Sequence, residues 1–138
     1  MLGEATCHAY SKSQAVIALS SGEAEYYGFA SAASASLGVQ SALKDLGWHF
    51  GIQILMDASA GIAIGSRRGL GKTKHIDTVF LWAQELVTSK KVKLTKRKTD
   101  EMLADFLTKN VEASKMMKCM SGLNLQFMTG QSKLALQA

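Results

Sequence analysis

The stretch Ala18-Leu19-Ser20-Ser21-Gly22-Glu23-Ala24-Glu25-Tyr26-Tyr27 decides how the rest of the chain is read. It joins two kinds of pattern. Residues 14–19, Gln-Ala-Val-Ile-Ala-Leu, are short, apolar and bounded by polar residues, which predicts a buried strand. Ser20 or Ser21 can then cap a helix, with Glu23 at capping-box distance from Ser20. That helix is expected to run to about Leu37 and to break at Gly38. A second short helix, Val39 to Leu46, is closed by Gly47.

Working outward, Ile52 to Met56 predicts the next strand, stopped by Asp57-Ala58-Ser59 and followed by a helix to about Gly65. Residues 66–74, Ser-Arg-Arg-Gly-Leu-Gly-Lys-Thr-Lys, form a basic glycine loop. It ends like a phosphate-binding P-loop, yet Ser66 stands where that motif needs glycine, and a helix rather than a strand precedes it. From His75 to Val87 apolar residues recur at helical spacing. Val92 and Leu94 alternate with lysines, so 91–97 reads as a strand with one wet face. Thr99 or Asp100 caps a last helix whose Leu103, Phe106 and Leu107 would face the core. Beyond about Asn110 the pattern weakens. The alternation of strands and helices predicts an α/β layered domain with a small sheet.

Composition narrows the function classes. At 138 residues, 47% hydrophobic and 20% charged, the chain fits one globular domain. Its two cysteines, Cys7 and Cys119, have no metal-ligand spacing and form no disulfide framework. No apolar run approaches the roughly 18 residues of a membrane span. The N-terminus lacks the features of a signal peptide. An intracellular protein with no membrane partner is expected.

Charge is concentrated. Residues 1–63 hold two basic and five acidic side chains. Residues 64–98 hold ten basic (among them Arg67, Arg68, Lys72, Lys74, Lys93 and Lys96) against Asp77 and Glu85, a net of +8. Such a stripe points to a polyanion, nucleic acid first, although a solvated surface has the same composition. Among the acids, Asp57 falls at a strand's carboxyl end, where α/β sheets form ligand crevices. Glu25 and Asp105 lie in early helical turns. Converging carboxylates of this kind hold hard cations, while the helix dipole alone also favours acids at such positions. The histidines His8, His49 and His75 lack ligand spacing.

Four motifs in order make the sequence recognisable. The 18–27 stretch resembles the signature of the ribonuclease H domain that ends copia-type retrotransposon Pol polyproteins. Leu55-Met56-Asp57-Ala58-Ser59-Ala60, Lys74-His75-Ile76-Asp77 and Leu103-Ala104-Asp105-Phe106-Leu107-Thr108-Lys109 resemble that family's later landmarks. The resemblance implies an α/β, ribonuclease H-like fold over residues 8–110, a small mixed sheet flanked by helices, with residues 111–138 as a helical or disordered tail. It also implies two-metal hydrolysis of the RNA strand of RNA–DNA hybrids, with Glu25, Asp57 and Asp105 as catalytic ligands of two Mg²⁺ ions (Mn²⁺ as a substitute). Asp77 would be structural.

The same resemblance assigns phosphate contacts to Arg67, Arg68, Lys72, Lys74, Lys93 and Lys96, and names the reverse transcriptase part of the polyprotein as a partner. The family's first acid lies in a strand before His8-Ala9-Tyr10, where this sequence has only Met1 to Cys7 and no Asp. The first two strands are therefore expected to be missing, and cleavage weak or absent. The alternative is a non-catalytic nucleic-acid-binding remnant of a mobile element.

Overall fold

In the computed structural model, which describes residues 1–69, 80–107 and 109–125 apart from the side chains of Asp105 and Phe106, Ser20 starts the longest element. Its hydroxyl accepts the N–H of Glu23 at 3.2 Å. The Glu23 carboxylate in turn accepts the N–H of Leu19 at 2.9 Å, so the reciprocal capping bond reaches one residue further out than the usual box. Helix α1 then runs without a break over Ser21–Asp45. Gly38 does not interrupt it: one exposed glycine costs a helix only about 1 kcal/mol, too little to end one of this length. Leu46 caps the C-terminus, and Gly47 follows with φ +86°. The N–H of Trp48 donates to Leu43 O at 2.9 Å and that of Gly47 to Lys44 O at 2.9 Å, the paired bonds of a Schellman ending.

Two compact units divide the chain. The larger, Ser13–Glu101, holds α1, strand β1 (Ile52–Met56), helix α2 (Ser59–Ser66), helix α3 (Trp82–Thr88) and strand β2 (Val92–Lys96). β1 and β2 pair in parallel, Ile54 opposite Leu94. Parallel strands need a long crossover, and α2 and α3 supply it. The buried positions of α1 (Gly22, Glu23, Tyr26, Tyr27, Phe29, Ala30 and Ala33) recur at helical spacing. Of these, Tyr26, Tyr27, Phe29, Ala30 and Ala33 join Ile54, Met56, Ile64, Ala83, Leu86 and Val92 in one core. Gln53, Leu55 and Lys93 are exposed.

The sheet departs from the expected small mixed sheet: it has two strands among the described residues, both parallel. Residues 14–19 do not form a strand. Ala18 packs partly buried against the core, but Val16, Ile17 and Leu19 stay outside, Ile17 at 87% and Leu19 at 70% exposure. Alternation supplies β propensity, but a strand persists only when a neighbour takes its N–H and C=O groups, and no strand among the described residues pairs with this one.

The smaller unit comprises Met1–Lys12 with Met102–Ala138. Its described part holds a 3-10 turn, Leu103–Leu107, where the sequence reading expects a helix, and helix α4 (Ala113–Gly122), within the stretch expected to be a helical or disordered tail. Leu107 is 37% exposed rather than core-facing. Thr6 Oγ1 donates to Leu123 O at 2.6 Å, and Leu103 packs on Gly122. Residues 70–79, including most of the basic glycine loop and the Lys74-His75-Ile76-Asp77 motif, lie outside the described residues, as do 126–138.

The seam between α1 and α2 leaves no room for a side chain at Gly61. A Cβ added at Gly61 would stand 2.8 Å from Met56 Cε and 2.9 Å from Glu25 Cβ. Gly61→Ala is therefore expected to cost about 1–3 kcal/mol. Gly38→Ala, at an exposed helix position with open space, should stabilise by up to about 1 kcal/mol. Urea denaturation of both variants measures the contrast.

Candidate functional site

Glu25 sits in the second turn of α1, on the side that meets Gly61 of α2. Gly61 also touches Met56, the last residue of β1, and Asp57 follows directly. The seam thus brings α1's acid and the carboxyl end of the sheet to the same glycine. Asp57 is half-buried, and Thr99 Oγ1 faces its Oδ2 at 3.4 Å. Glu25 is exposed. Asp105 lies in the 3-10 turn of the smaller unit, its side chain outside the described residues. Carboxylate oxygens are the donors that Mg²⁺ takes. Among the described residues, no group of three or more His, Cys, Asp or Glu side chains stands close enough to hold a metal ion.

Basic residues approach the same end. The N–H of Arg97 donates to Met56 O at 2.8 Å, extending the β1–β2 ladder to the residue before Asp57. The Lys96 ammonium donates to Ser59 Oγ, at the start of α2. Lys93 and Lys96, both expected to contact phosphate, point to opposite faces of β2, because strand side chains alternate. Lys93 stands in register with Gln53, both exposed, whereas Lys96 is in phase with Val92 and Leu94. Of the loop cations, Arg67 is half-buried and Arg68 exposed. Lys72 and Lys74 lie outside the described residues.

Two residues that the sequence reading passed over hold this arrangement. Tyr26, fully buried next to Glu25, donates its hydroxyl to Phe80 O at 2.5 Å and so fastens α1 to the segment entering α3. Burial pushes its phenol up to about 12, with the Arg67 guanidinium opposing the shift and Tyr27 adding to it. Gln84, buried in α3, bonds both Ile64 O and the backbone of Gly69. A signal for Gln84 exists in the sequence. It is a lone amide between Phe80 and Val87 in the apolar phase of that helix, where a buried polar group must find partners.

With this geometry in place, similarity to known proteins places the chain. It is 32% identical over 111 residues, 79% of its length, to the Retrovirus-related Pol polyprotein from transposon TNT 1-94 of Nicotiana tabacum. The chain is homologous to part of a retrotransposon Pol polyprotein. The match covers 8% of that relative, so the chain spans a small fraction of the polyprotein's length. No family model matches the sequence, and no solved structure does. No helix among the described residues is long and apolar enough to cross a membrane. The chain is thus retroelement-derived.

The Tyr26 bond has a pH signature. Its phenol is harder to ionise in the folded chain, so its contribution to stability is constant below about pH 10 and is lost as pH rises toward 12. Tyr26→Phe should cost about 1 kcal/mol near neutral pH. The gap to the wild type should then narrow as pH rises from 10 toward 12, since the unfolded phenol ionises first. Thermal unfolding of both proteins across that range checks the sign.

Proposed function

We propose that this chain is a ribonuclease H-like portion of a retrotransposon Pol polyprotein, and that it acts on RNA–DNA hybrids. The observation that carries the reading is the meeting of Glu25 and the Met56–Asp57 strand end at Gly61, in a sequence homologous to Pol. The net +8 of residues 64–98 supports a polyanionic substrate held by its phosphates. A hybrid is then recognised by its backbone, its shape and its 2′-hydroxyls, with base edges playing no part.

Glu25 and Asp57 are the groups of the larger unit that would hold Mg²⁺, which supplies an activated water and stabilises the leaving oxygen when bound; Asp105 is a candidate ligand on its motif alone. Arg68 and the exposed Lys93 offer the duplex two cations. The reverse transcriptase part of the same polyprotein is the partner that would deliver the hybrid.

The test uses an end-labelled RNA–DNA hybrid with the wild type, Asp57→Asn, and a variant with Arg67, Arg68, Lys72 and Lys74 replaced by Ala. Binding should be independent of sequence and weaken with salt. The fourfold variant should lower the slope of log K against log salt by up to about 0.9 per lost phosphate contact. Asp57→Asn should remove any Mg²⁺-dependent cutting and leave binding equal or tighter, since it removes negative charge near phosphate. Salt-insensitive binding overturns the reading. Binding without cutting by the folded wild type supports the non-catalytic alternative.

A further inference from the structure

Helix α2 ends abruptly. Arg67 leaves the helix with an extended backbone, so the last carbonyls of α2 lose their intrahelical donors. One of them, Ile64 O, instead accepts a hydrogen bond from Gln84 Nε2 at 2.9 Å. The same carboxamide closes on Gly69 from both sides. Its Oε1 accepts the Gly69 N–H at 2.8 Å, and its Nε2 donates to Gly69 O at 3.2 Å. Gly69 has φ +78°, a left-handed conformation that turns both of its backbone groups to one side chain at little cost for glycine. A single amide on α3, only 4% exposed, therefore pins both ends of the segment that carries Arg67 and Arg68.

We propose that Gln84 is a positioning residue for nucleic-acid binding: by holding Ile64 O and Gly69 it presets the Arg67–Arg68 backbone for phosphate contact. The inference rests on the hybrid-binding reading above and adds to it a residue that touches no phosphate. A satisfied helix end would need only the Ile64 bond. The two further bonds to Gly69 order the basic segment itself, and order present before binding does not have to be created on binding. α3 holds Gln84 in turn: its N–H donates to Leu81 O at 3.0 Å, and Thr88 Oγ1 donates to its carbonyl at 2.9 Å.

The experiment compares wild type, Gln84→Met, Gly69→Ala and Arg68→Ala for hybrid affinity across a salt series, with amide hydrogen exchange at Gly69 as a readout independent of nucleic acid. Methionine keeps the length of glutamine and removes all three side-chain bonds. Gly69→Ala strains the same anchor from the other side, and its Cβ meets nothing within 4 Å, so the core is left alone. Gln84→Met and Gly69→Ala should each weaken binding about tenfold. Each should also lower the salt slope, and Gln84→Met should speed exchange at Gly69. Added to Arg68→Ala, Gln84→Met should cost less than it does alone.

If the wild type binds with the expected salt dependence while folded Gln84→Met and Gly69→Ala match its affinity and slope, the positioning role is overturned and the hybrid-binding reading stands. If Gln84→Met does not fold, Gly69→Ala decides the question by the same criteria. Salt-insensitive binding by the wild type itself overturns both.

Discussion

At Gly61, α2 lies so close to α1 that the missing side chain is itself the contact: an added Cβ would collide with Glu25 Cβ and Met56 Cε. At Gly22, one helical pitch before Tyr26, the same seam leaves 2.8 Å between a built Cβ and Ala60. Packed interiors do not absorb such overlaps without moving whole elements. The seam therefore sets how α1 lies on β1. It aligns the Tyr26–Phe29–Ala33 stripe with the core and sends Glu25 to the strand end where Asp57 follows. The approach of α1, with Glu25, to the strand end before Asp57 is a by-product of helix packing and only as firm as that contact.

Charges of both signs meet at the carboxyl end of the sheet: Glu25 and Asp57 lie on the elements that join at Gly61, and Lys96 and Arg97 approach the same strand end, while Arg67 and Arg68 follow α2. Buried hydrogen bonds from α1 and α3 hold these elements together. Tyr26 ties α1 to Phe80, and Gln84 ties α3 to the end of α2 and to Gly69. Uncompensated, either side chain would be costly to bury. With its bonds made, each orders backbone that no apolar contact could fix in one conformation.

How far this was legible depended on whether a signal is local. Ile52–Met56 was legible because an apolar run stopped by Asp57 needs no distant information. The Ser20 start of α1 was legible because a cap and its Glu partner lie three residues apart. The failures share one cause, that propensity is weaker than context. Residues 14–19 have strand-like composition without a pairing neighbour among the described residues. Gly38 carries a breaker's cost that 25 helical residues override. Leu103–Leu107 turns as a 3-10 segment although its apolar spacing suits an α-helix. Position in the pattern marked Glu25 and Asp57 as candidates and motif resemblance gave them a role, but the contact that joins their elements, a glycine 36 positions beyond Glu25, carries no sequence signal of its own.

The central claim is that the α1–α2 seam sets Glu25 and Asp57 as one acidic corner able to hold a divalent cation. Paramagnetic broadening of amide NMR signals during a Mn²⁺ titration tests it directly, in wild type and Asp57→Asn. The account predicts broadening that appears first at residues 24–26 and 57–59 together, and that Asp57→Asn removes at both. Broadening spread over exposed acids such as Glu4, Glu85 and Glu112, with no preference for that corner, would contradict it.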